Sequence, residues 1–231
     1  MPEQVALIVG AGPGLSAALA RRCAADGMRV GLVARNTEKL DGLVAEIDAR
    51  AFACDVTNTA NVKHLFTRVE NELGVPDLVV YNPSARAKGS IVDLDPQEVE
   101  KALMVTCFGG FLVAQQAVKL MLQRGQGTML FTGASASVKG YANSAPFAMG
   151  KFGLRGLAQS MARELAPKGI HVAHFVIDGS IAAPSTPGVD PSAPDDKLNP
   201  DVIAANYLAI HHQHRSAWTW EIELRPWLEH F

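Results

Sequence analysis

Cysteine is scarce. Cys23, Cys54 and Cys107 are odd in number and far apart. They supply neither a disulfide framework nor a metal-ligand spacing, and the plain reading is a reduced, cytoplasmic compartment with no metal site. Charge of one sign is also lacking: 21 Lys and Arg oppose 23 Asp and Glu, a formal net of −2. Nucleic-acid binders usually show a basic excess or stripe, so no nucleic-acid partner is expected. No apolar run approaches the roughly 18–20 residues of a membrane span. No basic stretch precedes the first apolar segment, as a secretory leader would require. With 48% hydrophobic and 19% charged residues, the composition is that of an ordinary globular protein, which excludes disorder, collagen and coiled coil for the bulk. A chain of 231 residues is expected to form one domain, 1–231, around one large core.

What is present is an alternation of short apolar runs with helical periods. Strands are expected at Val5–Val9, Met28–Ala34, Ala51–Cys54, Leu78–Tyr81, Thr128–Phe131 and His171–Ile177, with a last one at Trp218–Leu224. Helices are expected over Leu15–Ala25, Thr37–Ile47 with Thr37 as cap, a segment after Thr57 or Asn58, Asp95 to about Arg124, Pro146–Leu165 and Val202–His211. Strands apolar at nearly every position suit a parallel sheet covered on both faces. The fold class is therefore α/β: a doubly wound parallel sheet in three layers, with a ligand crevice at the strands' carboxyl ends. Residues 182–200 hold five prolines and several acids. They read as an exposed loop, either a mere connection or a lid over the crevice.

Gly10, Gly12, Pro13, Gly14 and Leu15 lie between the first strand and the first helix. Glycine permits a tight turn and close backbone approach to a pyrophosphate, and the helix N-terminus adds free N–H groups and a positive dipole end. The alternative is a tight turn without ligand. About 20 residues on, an acid would bind a ribose 2′-hydroxyl. Here the second strand ends in Ala34-Arg35-Asn36. Arg35 suits a 2′-phosphate, so NADP is favoured over NAD, unless Arg35 is merely exposed. Asp55 is a candidate for adenine contact and equally for a helix cap or turn residue.

These segments, with Asp55-Val56, Tyr81-Asn82-Pro83-Ser84, Gly127 to Ser135, Phe147 to Lys151 and Asp178-Gly179, together resemble the short-chain dehydrogenase/reductase family over roughly residues 4–181. The resemblance implies a Rossmann-like fold, a nicotinamide cofactor, a small-molecule substrate and a homodimer or homotetramer. It also implies a cofactor wall of Asp55, Val56, Asn82, Pro83, Asp178, Gly179 and Ile181, with Lys151 at the nicotinamide ribose. Several motif positions depart from the family: Ser16 for its third glycine, Asp178 for proline, Ala183 for threonine. Its catalytic Asn, Ser, Tyr and Lys fall on Thr106, Ala134, Phe147 and Lys151. Phenylalanine cannot exchange a proton, which places the task on Ser135, Tyr141 or a water. A positioned acid or base contributes about 10²–10⁴-fold, so carbonyl reduction is expected to be slow unless another group substitutes. The function expected is an NADP-dependent oxidoreductase of a small carbonyl, alcohol or activated alkene. The alternative is a dinucleotide sensor or scaffold that has lost turnover.

Gly150, Gly153 and Gly156, three apart in a helix, imply close packing, across a subunit interface or against the chain's own sheet. His211, His212 and His214 lack the spacing that puts two imidazoles on one helical face. Trp218, Trp220 and Trp227 point to an oligomer contact or to core packing.

Overall fold

The structure, a computed structural model, describes residues 3–182 and 196–228. Ala183 and most of the Pro-rich 182–200 segment lie outside the described residues. Seven strands form one sheet: β1 Val5–Val9, β2 Arg29–Ala34, β3 Arg50–Ala53, β4 Leu78–Tyr81, β5 Gly127–Thr132, β6 Ile170–Ile177 and β7 Glu221–Leu224. All pair in parallel, in the order β3-β2-β1-β4-β5-β6-β7. The chain winds outward from β1 through β2 to β3, then crosses back to lay β4 on the other side of β1. That reversal opens a crevice beyond the carboxyl ends of β1 and β4.

The helices are α1 Leu15–Ala25, α2 Asp41–Ile47, α3 Thr59–Glu72, α4 Pro96–Leu103, α5 Gly109–Arg124, α6 Ala145–Leu165 and α7 Pro200–His211. Side-chain alternation along β1 sorts the two covering layers. Val5, Leu7 and Val9 join a core with Val62, Leu65 and Phe66 of α3, Val113 and Ala117 of α5, and Leu154 of α6. Ala6 and Ile8 join the opposite core with Leu19 of α1 and Ile203 and Tyr207 of α7. This is the three-layer, single-domain α/β architecture expected.

Several details differ from expectation. The helix expected from Thr37 begins with a tighter turn, Glu38–Leu40, and Thr37 makes no cap bond. Asn36 does the work: its Oδ1 accepts from the Glu38 N–H at 3.0 Å. At the next helix Asn58, not Thr57, caps, accepting from Asn61. The long helix from Asp95 contains a π-helical turn, Met104–Phe108, between α4 and α5. Taken as one unit, Pro96–Arg124 is long and apolar enough to cross a membrane, with a mean hydropathy of 1.4 over its best window, although no single apolar run is. It packs against the sheet through Gly109, Gly110, Val113, Ala117 and Met121. Gly150 and Gly153 of α6 face this same segment: an added Cβ would meet Thr106 at 2.9 Å and Cys107 Sγ at 2.8 Å. These two glycines thus pack on the chain's own π turn rather than on the sheet, whereas a Cβ on Gly156 would meet nothing within 4 Å. Trp218 stacks on His171 with ring centroids 4.7 Å apart, and Arg155 sits over Trp220, whereas Trp227 is exposed. The three histidines near the end of α7 have separate partners, Thr128, Asp26 and Ser216. Among the described residues no group of metal-ligating side chains forms.

Candidate functional site

The crevice starts at the turn after β1. Gly10 has φ +84°, and a Cβ on it would come 2.8 Å from Pro83, so only glycine serves where β1 meets the segment after β4. The N–H groups of Gly10 and Ala11 donate to Val33 O at 2.9 and 2.8 Å, which pins the turn to β2. Ser16 donates to Gly10 O at 2.9 Å and accepts from Asn82 Nδ2 at 2.7 Å. A hydroxyl here ties the turn to Asn82, a link glycine could not make. No side chain caps α1. Its first N–H groups and the positive end of its dipole are left for an anion.

On the β2 side lies a cavity of about 680 Å³, lined by Gly10, Ala11, Arg35, Asn36, Lys39, Asp55, Val56, Asn82, Pro83 and Ser84 among others. Asp55 proves to be both a turn residue and a wall residue. Its Oδ1 accepts from the Thr57 N–H at 2.9 Å and the Thr57 hydroxyl at 2.7 Å. Those bonds, with Arg35 nearby, hold its carboxyl below the usual range. Lys39 was not foreseen. It follows Arg35 by four residues on the turn opened by Asn36, and that spacing was the available signal.

The second cavity, about 560 Å³, shares Asn82 and Ser84 with the first. Gly14, Leu15, Arg86, Thr132, Ala134, Phe147, Lys151, Gly179 and Ile181 line it, and no lining residue described is acidic. Phe147 and Lys151 sit one helical turn apart on α6, so both face the cavity. Lys151 is 2% exposed, and its Nζ donates to Thr132 O at 2.7 Å. Burial, and secondarily the Arg86 charge, lowers its pKa to about 7. The Arg86 guanidinium lies over the Phe147 ring, 4.2 Å from its centroid; Lys151 Nζ is 5.8 Å from the same point. Arg86 sits in the irregular segment after β4, where no periodicity marks it, and sequence reading missed it.

Thr106 is fully buried in the π turn, where its Oγ1 accepts from the Ala85 N–H at 3.0 Å. It therefore anchors the segment carrying Arg86. Behind the cavity floor, His174 Nδ1 meets Glu221 at 3.1 Å, and Arg155 grips the same carboxylate at 2.6 and 2.7 Å. Gly133 lies over His174; a Cβ there would fall 2.3 Å from His174 Nε2. Burial lowers His174 to about 4 despite Glu221.

Five expected site residues are not brought to either cavity's lining. Ser135 opens the short 3-10 turn after β5, while Ala134 takes the lining position. Tyr141 is 47% exposed to solvent. Asp178 is turned to the C-terminal segment, bonding Arg225 at 2.9 Å, because β7 runs beside β6 at that point. Gly12 and Pro13 shape the turn without lining a cavity.

A dinucleotide-sized crevice at the β1/β4 reversal is the common property of many α/β folds, and comparison with known proteins narrows it. Residues 4–187 match the family model for short chain dehydrogenase. A 3-oxoacyl-(acyl-carrier-protein) reductase of Mycobacterium tuberculosis is 32% identical over 184 residues, covering 80% of this chain and 72% of that protein. A short-chain dehydrogenase from Rhodopseudomonas palustris is 35% identical, with a TM-score of 0.84 over 97% of this chain and 99% of that one. A metagenomic short-chain oxidoreductase in complex with NADP is 26% identical, with a TM-score of 0.84 over 97% and 98%. The glycine turn and the seven-stranded parallel sheet thus have one explanation: the chain belongs to the short-chain dehydrogenase family, whose members are oxidoreductases.

Proposed function

We propose that this protein is an NADP-dependent oxidoreductase that interconverts a small carbonyl compound and its alcohol, with Lys151 exchanging the proton that the family's tyrosine exchanges elsewhere. Phe147 stands in that tyrosine's place. The observation that carries the reading is the pair of neighbouring cavities that share Asn82 and Ser84, with Arg35 and Lys39 in one and Lys151 in the other.

The residues fit the coenzyme. The uncapped start of α1 suits a pyrophosphate, and Gly10 provides room beside Pro83. Arg35 and Lys39, with no acid at the end of β2, suit a 2′-phosphate rather than a free 2′-hydroxyl. Val56, Asn82, Gly179 and Ile181 supply walls. When bound, the nicotinamide would supply or accept a hydride. Among the described side chains lining its cavity, Lys151 alone gains or loses a proton near neutral pH, because arginine stays charged throughout. Its bond to Thr132 O fixes the amine without neutralising it.

The apolar side chains left exposed around α5 and α6, Phe108, Phe111, Leu122, Met149 and Phe152, support a homodimer or homotetramer. The test is a thermal-shift comparison of NADPH with NADH, followed by turnover of a panel of ketones, alcohols and enones. NADPH should raise the melting temperature more, and Lys151→Met should reduce turnover by about 10²–10⁴-fold. No shift with either nucleotide would refute the reading.

A further inference from the structure

We propose that the cavity beside Phe147 takes a short oxo-carboxylate, the anion pairing with Arg86 while the carbonyl oxygen sits at Lys151. The inference rests on the oxidoreductase reading above and names its substrate class.

Three observations carry it. First, the described lining of the cavity holds two basic side chains and no acid. Such a lining favours an anion over a neutral ketone. Second, Arg86 has no acidic partner among the described residues, yet it is not loose. The N–H of Ala85 is held by Thr106 at 3.0 Å, and the N–H of Gly89 by Asn143 O at 3.1 Å, so the segment is tied on both sides of Arg86. The guanidinium rests over the Phe147 ring at 4.2 Å. Contact with the ring uses the π face and none of the guanidinium's N–H donors is taken by a described acid, which leaves them for a carboxylate. Third, the geometry is short. Both cations lie within 6 Å of one ring centroid. The two cations are thus no more than about 10 Å apart, a span that a carboxylate one or two carbons from its carbonyl can bridge with a hydrogen bond at each end. Phe147 gains a purpose in this arrangement, as the platform that aims Arg86.

The redox balance is simple. The carbonyl carbon gains a hydride from the reduced nicotinamide coenzyme, and its oxygen gains a proton from Lys151. The oxo acid leaves as the hydroxy acid, the coenzyme is left oxidised, and Lys151 recovers its proton from solvent.

The test is a binding measurement without turnover. Protein saturated with NADP⁺ is titrated calorimetrically with pyruvate, 2-oxobutyrate and acetoacetate, and with the methyl ester of each. At least one acid should bind about tenfold or more tightly than its own ester. Arg86→Gln should erase that ratio, while Arg86→Lys should keep part of it. If no acid outbinds its ester, or if the preference survives in Arg86→Gln, the proposal is overturned. If Arg86→Gln weakens NADP⁺ and leaves the acid-to-ester ratio alone, Arg86 serves the nucleotide and the proposal is likewise overturned. The NADP⁺ titration of the parent is read separately. Its failure would sink the oxidoreductase reading itself, which is distinct from nucleotide binding without acid preference.

Discussion

Lys151 makes a quantitative demand on the pH dependence of the reaction. Burial, aided by Arg86, lowers its pKa to about 7. Carbonyl reduction needs the ammonium as proton donor, a form present below pH 7 and lost above it. Alcohol oxidation needs the free amine, present above pH 7 and lost below it. If proton transfer limits the rate, initial rates of reduction should fall about tenfold between pH 6 and 8 and approach a hundredfold loss by pH 9. Oxidation should show the reverse slope. The group facing Lys151 from the segment after β4 is Arg86; from β6 it is His174, neutral in this range. Neither supplies a competing titration near pH 7. Stopped-flow or steady-state rates across pH 6–9 are the assay, with Lys151→Met and Lys151→Arg as controls. Methionine fills the same buried space without an amine. Arginine keeps the charge but cannot release its proton. Both variants should lose the slope together with most of the rate. A parent profile that stays flat from pH 6 to 9, or a Lys151→Met enzyme with undiminished rate, would refute the reasoning.

Two further outcomes follow from the same geometry. Phe147→Tyr adds a hydroxyl whose ordinary pKa is about 10, so it remains a donor where Lys151 has lost its proton. Reduction by this variant should exceed the parent by roughly 10- to 100-fold at pH 9 and by far less at pH 6; equal rates at pH 9 would contradict the assignment of Phe147. Stability should fall in mild acid. Burial lowers His174 and His211 to about 4, below the ordinary 6.5. The unfolded chain therefore binds more protons than the folded one between those values, and stability drops as pH falls through that window. Each histidine should cost on the order of 2 kcal/mol between pH 7 and 5. Urea midpoints at the two pH values check this, and an unchanged or higher midpoint at pH 5 would contradict it.

Much of the frame was legible because it depends on local pattern. Val5–Val9 and Leu15–Ala25 stand where apolar run, glycine turn and alanine-rich period place them. The π turn at Met104–Phe108 was not legible, since its extra residue per turn is set by contacts with Gly150, Gly153 and Ala85 far away in sequence. The cavity beside β2 was largely readable, as β1, β2 and the glycine turn are contiguous, although Lys39 carries no motif apart from its spacing to Arg35. The cavity beside Phe147 was not. Arg86 lies in a segment without period, and its place over Phe147 arises only when α6 folds onto it. Ser135 and Tyr141 offer hydroxyls close in sequence to Phe147, but the backbone after β5 turns Ala134, not Ser135, to the cavity. The position of Asp178 after β6 suggests a cofactor wall, yet Arg225 holds it from the adjoining C-terminal segment.

The most direct measurement is a fluorescence titration of the purified protein with NADPH and NADH, repeated for the Arg35→Ala/Lys39→Ala double variant. The account predicts saturable binding with NADPH preferred, and loss of about tenfold or more of that preference when both cations are removed. Absence of binding by either coenzyme at millimolar concentration, or a preference indifferent to both cations, would contradict it.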